Sequence, residues 1–159
     1  MSTPAIEAVL VDTDVYSYLM NGTGYAAVYK PHVQGKLIAV SFITVGELYF
    51  GAARKNWGAE RVQDLKDRLR SVTIVPFDDG VCRTYADIKS ATQSKGKKVA
   101  DNDLWIAACA IRHGIPLVSN NFKHFDGIPG LVLRSEVQAV REMQAQAKLK
   151  IEATFSNEP

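Results

Sequence analysis

Four short runs, AVLV (8–11), KLIAVS (36–41), VTIVPF (72–77) and IPLVSN (115–120), constrain this chain most, because none alternates apolar with polar residues. A strand with one wet face shows a period of two, whereas a run that is apolar throughout is buried on both faces. The intervening segments have helical spacing instead. In AERVQDLKDRLRSV (59–72), Val62, Leu65, Leu69 and Val72 recur at steps of three and four, while Lys66, Asp67, Arg68 and Arg70 fill a solvated side. That stripe serves either the core or a dimer face. Helices are also expected from VYSYLM to Asn21-Gly22, over 44–54, over 80–93, and over 103–114 with Gly114 as the stop. Strands separated by helices and covered on both faces predict an α/β fold with three layers, α/β/α, around a central, mainly parallel sheet. LVLRS (131–135) reads as an edge strand.

A chain of 159 residues, 47% hydrophobic and 23% charged, is sized for one domain with its own core. Residues 1–135 read as that domain. Residues 136–159 read as a C-terminal helix of the same domain, loosely patterned through Val137, Val140, Met143 and Ala147 and fraying at FSNEP. The net charge of +2 permits a nucleic-acid partner without demanding one. Cys82 and Cys109 lack metal-site spacing and read as small buried residues, in keeping with a reducing compartment. Glu7 and Asp12 interrupt the only apolar run near the start, which has no basic leader, so neither a signal peptide nor a membrane span is expected. The expectation is a soluble cytoplasmic protein.

In open parallel sheets, ligands sit beyond the carboxyl ends of the strands, and that rule ranks the acidic residues. Asp12 follows the first strand directly. Glu47 lies in the first turns of the helix after the second, amid Val45, Leu48, Tyr49 and Phe50, where a charge is costly unless it is paired or binds metal. Asp101 and Asp103 open the helix that leads into the fourth strand, and Asn120 and Asn121 follow that strand. Oxygen donors of this kind suit Mg²⁺ or Mn²⁺, and the chain has no Cys/His cluster suited to zinc. Each position has a structural alternative. Asp12 and Asp101 are also good helix N-caps, Asp14 is favoured by the helix dipole in a first turn, and either Asn suits a turn.

The step VLVDTDV (9–15) resembles the DxDx(T/V) signature of haloacid-dehalogenase-like phosphatases, in which the first Asp, here Asp12, is the nucleophile. The order of the later elements disagrees: the acidic pair Asp78-Asp79 precedes the strand that ends at Ser119, and no paired acids follow Lys123. That resemblance also leaves Glu47 and Asp103 without a role.

VLVDTDVYSYL, VSFITVGELYFGA, VADNDLWIAACAIRHGIPLVSNNFKHF and IPGLVL, in that order, resemble PIN-domain ribonucleases, and within them the VapC-like toxins of bacterial toxin-antitoxin pairs. The resemblance implies a Mg²⁺- or Mn²⁺-dependent endoribonuclease that hydrolyses RNA with a metal-activated water. It places the metal-binding carboxylates at Asp12, Glu47 and Asp103. The fourth acidic position falls on Asn121, a neutral ligand that lowers the charge of the site. Asp14, Asp101 and Ser119 fall in supporting places, where an extra carboxylate from Asp14 or Asp101 would offset Asn121. Lys95, Lys97 and Lys98, in SKGKK, form a basic rim for RNA or simply a solvated loop. A homodimer and a small antitoxin partner are further implications. Asn121 also leaves open a degenerate relative that binds RNA or a partner without cutting.

Overall fold

The computed structural model describes residues 5–156. Its elements run β1 (Ala8–Val11), α1 (Thr13–Asn21), α2 (Gly24–Val33), β2 (Leu37–Ser41), α3 (Phe42–Arg54), α4 (Ala59–Arg70), β3 (Thr73–Val75), α5 (Asp79–Ser94), α6 (Asp101–His113), β4 (Leu117–Val118), α7 (Phe122–Phe125), β5 (Leu133–Arg134) and α8 (Val137–Ser156). The five strands form one sheet in the order β3-β2-β1-β4-β5, and every pairing is parallel.

The side chains of β1 explain why it reads as an unbroken apolar run. Leu10 packs with Ala39, Leu117 and the buried faces of α5 and α6. Its neighbours Val9 and Val11 point the other way, into a second core with Val40, Val118, Val15 of α1, Tyr29 of α2, Leu48 of α3 and Leu65 and Leu69 of α4. Both faces are therefore covered around β1, as a parallel sheet requires, whereas at the edge strand β3 Ile74 and, beside it, Leu37 of β2 stay exposed. The stripe on α4 belongs to the core, since Leu65 and Leu69 are buried in it. Gly114 closes α6 in the left-handed region at φ 63°, which a residue with a Cβ rarely adopts.

Three features depart from expectation. Helix α2 lies where no element is expected from the sequence: it begins at Gly24, contains Pro31, and buries Tyr29 fully. Cys109 is buried, but Cys82 is exposed on the outer side of α5. In α8 only the beginning is anchored: Val140 is buried in the core, whereas Leu149, Ile151 and Phe155 are exposed. The expected fraying at FSNEP falls partly outside the described residues. No described helix is long and apolar enough to cross a membrane.

Strand order reverses at β1, since the chain builds β2 and β3 on one side and then β4 and β5 on the other. The connections leaving β1 and β4 diverge there and leave a crevice at the carboxyl end of the sheet. If the packing of Leu10 anchors this arrangement, Leu10→Ala will destabilise the protein by about 3 kcal/mol in urea unfolding, and Val132→Ala, at an exposed position, by less than about 0.5 kcal/mol. Equal losses would contradict the assignment of the core.

Candidate active site

The crevice is acidic because β1 ends at Asp12. The backbone ladder carries one step past the strand, with the Asp12 N–H donating to the Val118 carbonyl at 2.9 Å. Asp12 is therefore drawn into the sheet before its carboxylate caps α1, accepting from the Thr13 N–H at 2.8 Å. Only 5% of it is exposed. The buried Ser119, directly after β4, donates its hydroxyl to Asp12 Oδ2 at 2.7 Å and accepts the Asn121 N–H at 2.9 Å. Ser119 thus joins the ends of the two strands at the point of reversal.

Asp14 sits in the first turn of α1 and accepts the Val15 N–H at 2.6 Å. Glu47 is held from two sides. Thr13 donates its hydroxyl to Glu47 Oε2 at 2.7 Å, and the Asn102 amide donates to Oε1 at 3.2 Å. The Thr13 and Thr44 hydroxyls stand 3.1 Å apart, and Thr44 is itself tied to Ser41, the cap of α3. The apolar neighbours that made Glu47 look buried are partly outside, because Tyr49 and Phe50 are exposed. Asp103, in the first turn of α6, is mostly buried and lies 2.8 Å from His124 Nδ1. The Asn121 amide nitrogen is also 2.8 Å from that ring nitrogen.

Asp12, Thr13, Asp14, Ser17, Glu47, Asp103 and Asn121 line one cleft of about 300 Å³. Carboxylates this close destabilise one another's charge. Asp12 is pushed up from 3.8 to about 7, first by burial and then by repulsion from Asp14, against the opposing hydrogen bonds of Ser119 and Thr13. Asp14 is pushed up to about 6, again chiefly by burial, with the N–H groups of Val15 and Asn120 pulling it back.

Asp101 is not part of this group. Ala100 is the N-cap of α6, and the Asp101 carboxylate turns out to Lys89 Nζ at 2.8 Å and the Tyr85 hydroxyl at 2.9 Å. With a lysine already on it, Asp101 neither caps the helix nor adds charge to the cleft. Lys97 and Lys98 line a separate cavity of about 380 Å³ with Lys89 and Asp101, and Lys97 also donates to the Asp126 carbonyl. Lys95 lines neither cavity and is exposed at the end of α5. Sequence reasoning passed over Thr13, Asn102 and His124. Thr13 lies between two aspartates and Asn102 between Asp101 and Asp103, while His124 is one helical turn beyond Asn121. In each case the only sequence signal was adjacency to an acidic or ligating position.

Among the described residues, no three His, Cys, Asp or Glu side chains stand close enough together to enclose a metal ion. The donor chemistry nonetheless fits Mg²⁺ or Mn²⁺. Mg²⁺ keeps several waters and takes one or two carboxylates from the protein, so it needs an open carboxylate cleft and no closed cage. Burial is the chief reason that Asp12 and Asp14 are raised, with Asp14 and Asp103 adding to it at Asp12 and Asp103 adding to it at Asp14, so the cleft holds carboxylates in a setting where a bound cation would favour their charged form.

A fully parallel five-stranded sheet with an oxygen-lined cleft at its reversal point defines a class of α/β proteins with a polyacidic site. The PIN-domain family model matches residues 9–131, and the chain belongs to this family, on its VapC-like branch. It is similar to Ribonuclease VapC2 of Haemophilus influenzae, at 29% identity over 127 residues that cover 80% of this chain and 95% of that protein. It is also similar to VapC ribonuclease Y4jK of Sinorhizobium fredii, 30% identical across 74% of this chain and 90% of that one. A solved structure of VapBC2 from Rickettsia felis, bound to a DNA fragment from their promoter, contains a chain that superposes with a TM-score of 0.71 at 27% identity, covering 81% of this chain and 98% of its own. The phosphatase resemblance of VLVDTDV is thereby set aside: it rests on one short stretch, while the family match runs from residue 9 to residue 131 and takes in Asp12, Glu47, Asp103 and Asn121.

The raised carboxylates predict how stability depends on pH. Below 3.8 these groups are protonated in both the folded and the unfolded chain; between 3.8 and about 7 the folded protein retains protons that the unfolded chain has released. Stability contributed by these groups is therefore full at low pH and lost as pH rises through about 6 and 7. Metal-free protein should unfold at a lower urea concentration at pH 8 than at pH 5, and Asp14→Asn should narrow the difference. A profile unaltered by Asp14→Asn would contradict the electrostatic origin.

Proposed function

We propose that the protein is a metal-dependent endoribonuclease and the toxin of a VapBC-type toxin-antitoxin pair, acting in the cytoplasm on single-stranded stretches of RNA. The observation that carries this reading is the convergence of Asp12, Asp14, Glu47 and Asp103 on one cleft, in a chain of the family whose relatives are named VapC ribonucleases. A small antitoxin protein and a second copy of the chain are the partners proposed with it. Residues 1–135 form the nuclease domain, and α8 is an appendage of the same domain.

Asp12, Glu47 and Asp103 would hold Mg²⁺ or Mn²⁺, with Asn121 as a neutral fourth donor. When bound, the ion supplies Lewis-acid chemistry: it lowers the pKa of a water and stabilises charge on the phosphodiester. The remaining work is done by the chain itself. Ser119 fixes Asp12 Oδ2 through its hydroxyl, and the Thr13 N–H holds Oδ1, so the carboxylate is oriented from both sides where it lines the cleft. Thr13 and Asn102 each hold one oxygen of Glu47 and set the plane of its carboxylate. Asp14 adds negative charge next to Asp12, offsetting the neutral Asn121. No side chain has to act as a nucleophile.

Incubating the purified protein with RNA and Mg²⁺ or Mn²⁺ tests the proposal. Asp12→Ala and Asp103→Ala should each reduce cleavage by more than about a hundredfold, and Ser119→Ala by about 10- to 100-fold, as loss of a partner that orients a ligand does. Mn²⁺ should also raise the unfolding temperature of the unsubstituted protein but not of Asp12→Ala. Equal cleavage by the alanine variants would end the site assignment. Absent cleavage with retained, salt-sensitive RNA affinity would instead favour a degenerate relative that binds RNA without cutting, the reading that Asn121 motivates.

A further inference from the structure

Beside the acidic cleft lies a second cavity of about 180 Å³, lined by Asn120, Asn121, Phe122, Lys123, His124, Val137 and Arg141. Asn121 belongs to the walls of both cavities, and His124 reaches from this one to Asp103 at 2.8 Å. The two hollows share Asn121 as a wall but are opposite in charge. Most arginines near the sheet are already committed: Arg112 faces Asp78 and Arg134 bonds Glu7. The side chains of Lys123 and Arg141 have no ion pair or hydrogen bond among the described residues.

The fold holds these groups in place. Phe125 is buried and anchors the short helix α7, so Phe122, on the same turn, is left 42% exposed over the cavity. Arg141 follows Val140, which is 3% exposed in the core. The start of α8 is also braced by the Tyr29 hydroxyl, which accepts the Glu136 N–H at 3.1 Å, and by His32 Nε2, 2.9 Å from Glu136 Oε1. Two cations without a partner among the described residues and an outward aromatic ring, set beside a carboxylate cleft, match a single-stranded nucleotide: the cations take a phosphate and the ring takes the face of a base.

We propose, resting on the ribonuclease reading above, that this cavity is the subsite for the nucleotide next to the scissile phosphodiester, its phosphate held by Lys123 and Arg141 and its base stacked on Phe122. The acidic cleft repels the RNA backbone, and the adjoining cations offset that repulsion and set the register of the strand. Arg141 lies beyond residues 9–131, which the family model spans, so α8 brings a substrate contact of its own.

The test uses the full chain carrying Asp12→Asn, to halt cleavage, and a fluorescent single-stranded RNA. The double variant Lys123→Gln/Arg141→Gln should bind about tenfold more weakly and flatten the salt dependence of log K by about one unit. Phe122→Ala should weaken binding about tenfold with little change in that slope, and Lys66→Gln, on the exposed side of α4, should change neither. In the cleaving protein the double variant should raise KM and leave kcat nearly unchanged. Normal RNA affinity, slope and KM in the double variant overturn the subsite while leaving the nuclease reading intact. So does a double variant that keeps RNA but loses the antitoxin protein. If the unsubstituted protein neither binds nor cuts RNA, both proposals fall.

Discussion

Asp12 is buried where β1 and β4 meet, and the hydrogen bond it accepts from Ser119 ties together the two strand ends on which the cleft depends. Without that bond, two oxygens of a carboxylate 5% exposed would depend on the Thr13 N–H alone. A buried, under-bonded carboxylate costs several kcal/mol or takes up a proton. The position of Asp12 is therefore a consequence of the sheet order, and the sheet order is in turn compatible with a charge there only because Ser119 and Thr13 are present.

The same economy runs through the rest of the site. Thr13 both opens α1 and reaches Glu47 on α3, so the connections after β1 and β2 are joined by a hydroxyl. Asn102 joins α6 to the same glutamate, and His124 joins α7 to Asp103. Four connections are thus held together by a hydroxyl, an amide and an imidazole, with no lysine or arginine among them. Lysine or arginine in those places would have cancelled the charge, as Lys89 does for Asp101.

Much of the scaffold was legible beforehand. Buried parallel strands must be apolar on both faces, and β1, β2 and β4 are; amphipathic spacing located α4, and Gly114 ended α6. Helix α2 was not legible: with Gly24 at its start and Pro31 inside it, it owes its place to tertiary packing, through the full burial of Tyr29. Asp12, Glu47, Asp103 and the pair Asn120-Asn121 stand out because a strand-end rule applies to any parallel sheet, and the family resemblance chooses Asn121 from that pair. Asp101 was misjudged because a capping propensity is local, whereas Lys89 and Tyr85 reach it from another helix.

The sequence by itself determined the layers of the fold and which acidic residues stand at strand ends, since both follow from local patterning and from the geometry of parallel strands. Only the tertiary structure decided which of those acids share a cleft, that Thr13, Asn102 and Ser119 hold them, and that Lys123 and Arg141 stand beside them without a partner among the described residues. The physical reason is separation along the chain: Ser119 is 107 residues from Asp12 and Asn102 is 55 from Glu47, and contacts at such distances are set by how the sheet is wound.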